Sequence, residues 1–260
     1  MKLRPFSCEV EGETLRGAVY EPEGGIDEGQ SYPAAVLFHG FGGNRVDVSC
    51  FIVQMAKALA ARELVVVTYD RAGHGESDGE FFDTSVSKDV RQGCQVLRAV
   101  ADLPYVDKDR IALGGLSLGA VICSIVAAES EIPVKAMVMC STAAFFVDEI
   151  ASGFIQGKPL PNFKAGESFD FMGMKMGPAM VDDASSIDVY RRAQPFKGKV
   201  LLMHGTRDFV PLSYARRYKD MWGEQAVLLV REDADHGWAS VPDREFVTEH
   251  AADFLGKQLA

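Results

Sequence analysis

Apolar positions along this chain follow two alternating periods. Short, nearly continuous apolar runs at 34–38, 64–68, 111–113, 136–140, 200–204 and 226–230 have the length of strands buried on both faces. Between them, apolar residues recur at helical spacing. Phe51, Met55, Ala58 and Leu59 mark a helix within about 46–62, and Val86, Val90, Val96, Leu97 and Val100 mark one within about 84–103. A last helix at about 244–259 turns Phe246, Val247, Ala251, Phe254 and Leu255 inward. Residues 6–22 alternate loosely on either side of Gly12 and predict an antiparallel hairpin, followed by a Gly/Pro/Asp-rich loop over 21–33. Buried strands alternating with helices predict an α/β fold whose mostly parallel sheet is covered on both faces.

In such sheets a ligand sits in the crevice outside the carboxyl ends of the strands. The chemically loaded loops all begin where an apolar run stops, at 39–44, 70–78, 114–119, 205–210 and 233–238. They are therefore expected to converge on one sheet edge. The stretch 110–120, R-I-A-L-G-G-L-S-L-G-A, carries a strand-type run, a glycine-flanked serine and a helix-compatible apolar run. That is the strand, sharp turn and helix context of a nucleophile elbow, in which Gly115 and Gly119 let the turn close around Ser117. A plainer reading is a β-to-α turn whose serine caps the helix.

A serine nucleophile needs a general base within hydrogen-bond reach. Of five histidines, His236 lies on the loop between the sixth apolar run and the last helix, at the expected site edge. His39, His74 and His204 read as structural residues near glycines, and His250 lies mid-helix. Asp208, on the loop after the fifth run, is the candidate to orient the imidazole. Asp182, Asp183 and Asp235 are its rivals. Ser117, Asp208, His236 is the chain order of the α/β-hydrolase triad. The oxyanion of acyl transfer calls for two backbone N–H groups. Leu118, just after the serine, would supply one and Phe41 the other, with Gly42 as the alternative.

Composition narrows the picture. With 260 residues, 47% hydrophobic and 25% charged, one ordinary α/β domain is expected. A formal charge of −10 argues against nucleic acid as a partner, since phosphate binding needs clustered cations. No apolar run approaches the roughly 18 residues of a membrane span, and the first residues show no secretory h-region, so no membrane association is expected. Five scattered cysteines without a C-x-x-C pair point to a reduced, cytoplasmic setting. Neither a metal nor another cofactor is called for, because no ligand cluster has the right spacing. Nothing in the sequence stands against a homodimer.

Residues 142–198 break the alternation. This stretch is too long for a simple connection and holds 4 of the 10 methionines and 7 of the 16 phenylalanines. Thioethers and aromatic rings suit an adaptable apolar pocket over the serine.

The chain resembles the α/β-hydrolases of the serine esterase type over essentially its whole length, and more narrowly the feruloyl (cinnamoyl) esterase group. The resemblance rests on H-G-F-G-G-N-R at 39–45, Y-D-R-A-G-H-G-E-S-D-G at 69–79, G-L-S-L-G at 115–119, H-G-T-R-D-F-V-P at 204–211 and D-A-D-H-G-W at 233–238. It implies an eight-stranded sheet with the second strand antiparallel, and a cap inserted after the sixth strand. The core would then be 1–141 and 199–260, and the cap 142–198. It also implies a polar cap side chain holding a phenolic ring, a part Asp148 could fill, although the 172–180 stretch supplies no tyrosine partner. Phe145, Phe171, Met172, Met174 and Trp238 complete the expected pocket. The expected activity is hydrolysis of small acyl or hydroxycinnamoyl esters through an acyl-enzyme, with a small-molecule ester as the partner. An acyl-thioesterase, a serine peptidase and a perhydrolase remain alternatives within the fold, and a small-molecule sensor outside the enzymes.

Overall fold

The computed structural model describes residues 1–163 and 166–260. Eight strands form one sheet: β1 (Leu3–Val10), β2 (Glu13–Tyr20), β3 (Tyr32–Phe38), β4 (Val65–Tyr69), β5 (Val106–Leu116), β6 (Ala136–Cys140), β7 (Lys199–Gly205) and β8 (Ala226–Arg231). Their order across the sheet is β1-β2-β4-β3-β5-β6-β7-β8. β2 runs antiparallel to both its neighbours and every other pairing is parallel. The β1–β2 hairpin turns on Glu11 and Gly12, both at positive φ (54° and 82°), as a two-residue primed turn requires.

The buried strands are apolar at nearly every position because alternate side chains enter different layers, with Thr68 and His204 as buried polar exceptions. Val36, Phe38, Val65 and Val67 join the core under α2 (Val86–Ala101), α3 (Leu118–Glu129) and α7 (Leu212–Trp222). Ala35, Leu37 and Val66 join the other layer, under α1 (Phe51–Ala60) and α8 (Val241–Gln258). α3 is buried from Leu118 to Val126, which explains why its apolar run shows no helical period. α1 begins later than its spacing suggests, because Asp47, Ser49 and Cys50 stand at positive φ just before it. β5 extends well before its apolar run through the polar 107–110, and β8 is an edge strand with Val227 and Val230 exposed.

Between β6 and β7 lie α4 (Phe145–Ala151), two short antiparallel ribbons (Phe154–Ile155 with Lys158–Pro159, and Phe169–Phe171 with Met174–Met176), α5 (Pro178–Ala184) and α6 (Val189–Ala193). α6 packs on α3, so the end of this segment is built into the body of the molecule. Strand register carries the chemistry to one edge. Phe38 lies opposite Gly115, Leu116 opposite Cys140, Cys140 opposite Met203 and Gly205 opposite Arg231. The loops that follow them leave the sheet side by side. Among the described residues no helix is long and apolar enough to cross a membrane.

Candidate active site

Ser117 stands where β5 becomes α3, at φ 59° and ψ −125°, a conformation that costs a non-glycine residue on the order of 1–3 kcal/mol. Neighbouring backbone holds it there: Ser117 N–H donates to the Cys140 carbonyl (3.0 Å), and the Ser117 carbonyl accepts from Ala120 (3.1 Å) and Ala143 (3.2 Å). The two flanking glycines make the turn possible. A Cβ on Gly115 would lie 2.5 Å from the Gly119 carbonyl group, and one on Gly119 would lie 2.3 Å from the Phe38 oxygen. The serine side chain makes no capping hydrogen bond to α3, so the helix-cap reading of this turn does not describe it. Leu118 is the first residue of α3, and its N–H has no acceptor one turn earlier within the helix.

Two loops bring partners to that hydroxyl. His236 Nε2 lies 3.0 Å from Ser117 Oγ, and its Nδ1 lies 2.7 Å from Asp208 Oδ1. With hydrogen on Nδ1, the ring donates to the carboxylate and offers the Nε2 lone pair to the serine hydroxyl. The Asp208 side chain is fully buried and that of His236 is 20% exposed. Burial pushes the Asp208 pKa up. The hydrogen bond and charge of His236, the Val210 amide (2.8 Å) and His204 outweigh that push and hold it below its ordinary value. The arrangement can draw a proton from Ser117 Oγ while keeping the imidazole oriented. The rivals lie elsewhere: Asp183 accepts from the Ser87 amide and Asp235 from the Ala239 amide. His39, His74, His204 and His250 each bond a backbone carbonyl with one ring nitrogen.

The 39–43 loop faces the serine. A Cβ on Gly40 would come 3.4 Å from Ser117 Cβ, so the backbone bearing the Phe41 N–H passes close to the hydroxyl. Gly40 N–H donates to Asp47 Oδ2 (3.1 Å), and the Gly40 carbonyl accepts from Arg71 Nη2 (2.7 Å) and Gly43 (3.2 Å). Arg71 is buried, its other terminal nitrogen is paired with the buried Asp89, and its backbone N–H donates to His39 Nε2 (3.1 Å). Burial raises the Asp89 pKa and Arg71 opposes the rise. The Phe41 ring is anchored among Phe81, Phe146 and Phe171, with centroids at 5.1, 4.6 and 4.8 Å.

These elements border a cavity of about 240 Å³. Phe41, Ser117, Leu118 and His236 border it, as do the expected pocket residues Phe145, Phe171 and Met172. The other three expected residues do not. Met174 sets its methyl group next to Gly42, beside the Phe171 ring. Asp148 faces outward, away from the cavity lining, and accepts from Oη of Tyr214 on α7 (2.8 Å). That contact, after burial, helps push the Tyr214 pKa up to about 12. Trp238 is fully buried on the far side of the sheet, stacked on Phe246 at 6.3 Å with its carbonyl accepting from Arg244. Glu149, one helical turn after Phe145, lines the cavity with Gln156, Phe209 and Val48, none of which the sequence pattern singled out. Phe209 had a signal, since it directly follows Asp208. Glu149 and Gln156 had none, because a turn and a short ribbon bring them in.

Residues 35–249 match the model of the alpha/beta hydrolase family. Among solved structures, the chain is similar to ferulic acid-bound Est1E from Butyrivibrio proteoclasticus, with a TM-score of 0.87 and 23% identity over 97% of this chain and 98% of that one. It is also similar to the esterase domain of a Rhodothermus marinus protein, with a TM-score of 0.74 and 18% identity over the whole of both chains. Over 99 residues, 38% of the chain, it is 34% identical to an uncharacterized 31.7 kDa protein of Escherichia coli encoded in the traX-finO intergenic region. That match spans about a third (32%) of the length of the Escherichia coli protein.

Proposed function

Since the chain belongs to the alpha/beta hydrolase family, we propose that it is a serine carboxylic-ester hydrolase acting on small acyl or hydroxycinnamoyl esters. The observation that carries this reading is the hydrogen-bonded series Ser117, His236, Asp208, set beside the N-terminus of α3 at the floor of an apolar cavity. Ser117 Oγ attacks the ester carbonyl carbon as His236 Nε2 takes its proton, and Asp208 stabilises the imidazolium so formed. The carbonyl oxygen becomes an oxyanion facing the Phe41 and Leu118 N–H groups, where the N-terminal dipole of α3 also favours negative charge. Collapse breaks the bond to the alkoxy oxygen, which leaves as the alcohol after receiving the proton from His236. Water then attacks the acyl-enzyme, giving its proton to His236, and the acid departs as the proton returns to Ser117.

For the acyl group, the aromatic interior formed by Phe41, Phe145, Phe146 and Phe171 supports a flat or short apolar acid. A phenolic hydroxyl would meet Glu149 or Gln156 rather than Asp148. The ferulic acid of the Est1E structure makes a hydroxycinnamoyl group a natural first candidate. The cavity lining holds Asp47 and Glu149 and, among the described residues, no Lys or Arg, which favours neutral substrates over phosphate-bearing thioesters. The test is a panel of p-nitrophenyl esters from acetyl to long acyl, with methyl ferulate and an acyl-thioester, run beside fluorophosphonate labelling. A pre-steady-state burst and a covalent adduct on Ser117 are expected, both lost in Ser117→Ala. Turnover by Ser117→Ala at the parent rate would sink the assignment.

A further inference from the structure

We propose that Phe209 forms the leaving-group side of the site and selects esters of neutral alcohols that present an apolar ring face. The inference deepens the serine-esterase reading and rests on it. Phe209 is a large apolar residue left 58% exposed, and its ring packs on the His236 imidazole at 4.2 Å between centroids and 41° between planes. Of the rest of the cavity mouth, Met172 is 75% exposed and Val48 66%. The deeper wall is different: Phe146 and Phe171 are only 8% and 5% exposed.

The chemistry assigns the two ends. The carbonyl carbon must reach Ser117 Oγ with its oxygen toward the Phe41 and Leu118 amides. The departing oxygen must lie within hydrogen-bond reach of His236 Nε2 to receive its proton. The group carried by that oxygen therefore borders the imidazole and the tilted ring packed against it, while the acyl group takes the buried aromatic wall. Single exposed apolar side chains are ordinary, but three around one cavity mouth leave a surface that a ligand with an apolar face would cover. The carboxylates of the lining are already engaged by backbone N–H groups, Asp47 with Gly40 and Val48, and Glu149 with Gly157. With no cation in the described lining, an anionic alcohol has nothing to pair with.

The test compares benzyl butyrate with methyl butyrate, which share an acyl-enzyme and differ only in the alcohol. The parent protein should favour the benzyl ester in kcat/KM, and Phe209→Ala should lower that preference about tenfold. Phe209→Leu, which keeps apolar bulk, should retain part of it. Decay of the butyryl-enzyme, followed after a p-nitrophenyl butyrate burst, should change less than threefold, because the alcohol has already gone. Equal losses on both esters together with slowed decay would mean that Phe209 only props His236, and the proposal would fall. An unchanged preference would overturn it too, including the case where Phe209→Ala instead abolishes a concentration-dependent dimer in sedimentation. Failure of the serine reading itself would show separately, as turnover by Ser117→Ala.

Discussion

Replacing Arg71 by lysine tests how the loop that carries the proposed oxyanion donor Phe41 is held. The arginine fork does two jobs from a fully buried position: one nitrogen pairs with Asp89 and the other donates to the Gly40 carbonyl at 2.7 Å. An ammonium is a point charge on a flexible stem and cannot reproduce both contacts at once. Keeping a positive charge beside Asp89 avoids the roughly 3–5 kcal/mol that an abandoned buried carboxylate would cost, so Arg71→Lys should fold. It forfeits a charge-assisted hydrogen bond, about 1.5–3 kcal/mol, and leaves the Gly40 carbonyl, which shares a peptide unit with the Phe41 N–H, to the weaker hold of His39 Nδ1 and the Gly43 N–H. Deleting an oxyanion donor outright costs about 10²–10³ in kcat, so displacing one should cost about 10- to 100-fold. KM should move less than threefold, because the trigonal substrate does not depend on that donor. Steady-state kinetics on p-nitrophenyl butyrate would be paired with inhibition by a boronic acid that mimics the tetrahedral intermediate. Its Ki should rise by the factor by which kcat falls. A kcat within twofold of the parent, or a ground-state inhibitor weakened as much as the boronic acid, would refute the positioning role.

Two further outcomes follow from the same geometry. Tyr214→Phe removes the hydroxyl that Asp148 accepts, so it should lower stability by about 1 kcal/mol in urea denaturation while leaving kcat/KM for methyl ferulate within threefold; a larger loss of activity would bring Asp148 back to the substrate. His39 and His74 are both buried with pKa values lowered by burial and by Arg71, that of His74 to about 3. The unfolded chain binds protons on these histidines below about pH 6.5 while the folded chain does not. Stability should therefore fall as pH drops from about 6.5 toward 3, by up to about 1.4 kcal/mol per pH unit for each histidine. His74→Gln should shed its share of that slope across urea titrations at pH 7, 6 and 5, and an unchanged slope would contradict the account.

Much of the framework was legible in the sequence because burial on two faces leaves a coarse mark. Strands such as β3 and β6 are apolar along almost their whole length, and Ser117, Asp208 and His236 each follow the apolar run of a parallel strand (β5, β7 and β8) on a loop too short to wander. What escaped had a mixed pattern. The first half of β5 is polar at 107–110, where its pairing with β3 shifts register between Val106 and Ile111. α1 was placed too early because positive φ values at Asp47, Ser49 and Cys50 leave no mark on apolar spacing.

The pocket was less legible than the hydrogen-bonded series, and the reason lies in how each is built. A residue at the carboxyl end of a parallel strand has its direction fixed by the sheet, so sequence position implies place. The cavity wall comes from α4 and two short ribbons, where direction depends on a single turn. Asp148 and Glu149 are neighbours in the chain, yet one bonds Tyr214 on the outside and the other lines the cavity. Trp238 lies two residues from His236, yet its φ of 54° accompanies a reversal that sends the ring into the opposite core. Aromatic and methionine enrichment marks the segment that covers the serine without marking which of its side chains face in. Phe209 is the exception, because it inherits its place from Asp208 on a sheet-anchored loop. Substrate preference in this protein should therefore respond more predictably to substitutions at Phe209 than to those scattered through 142–198.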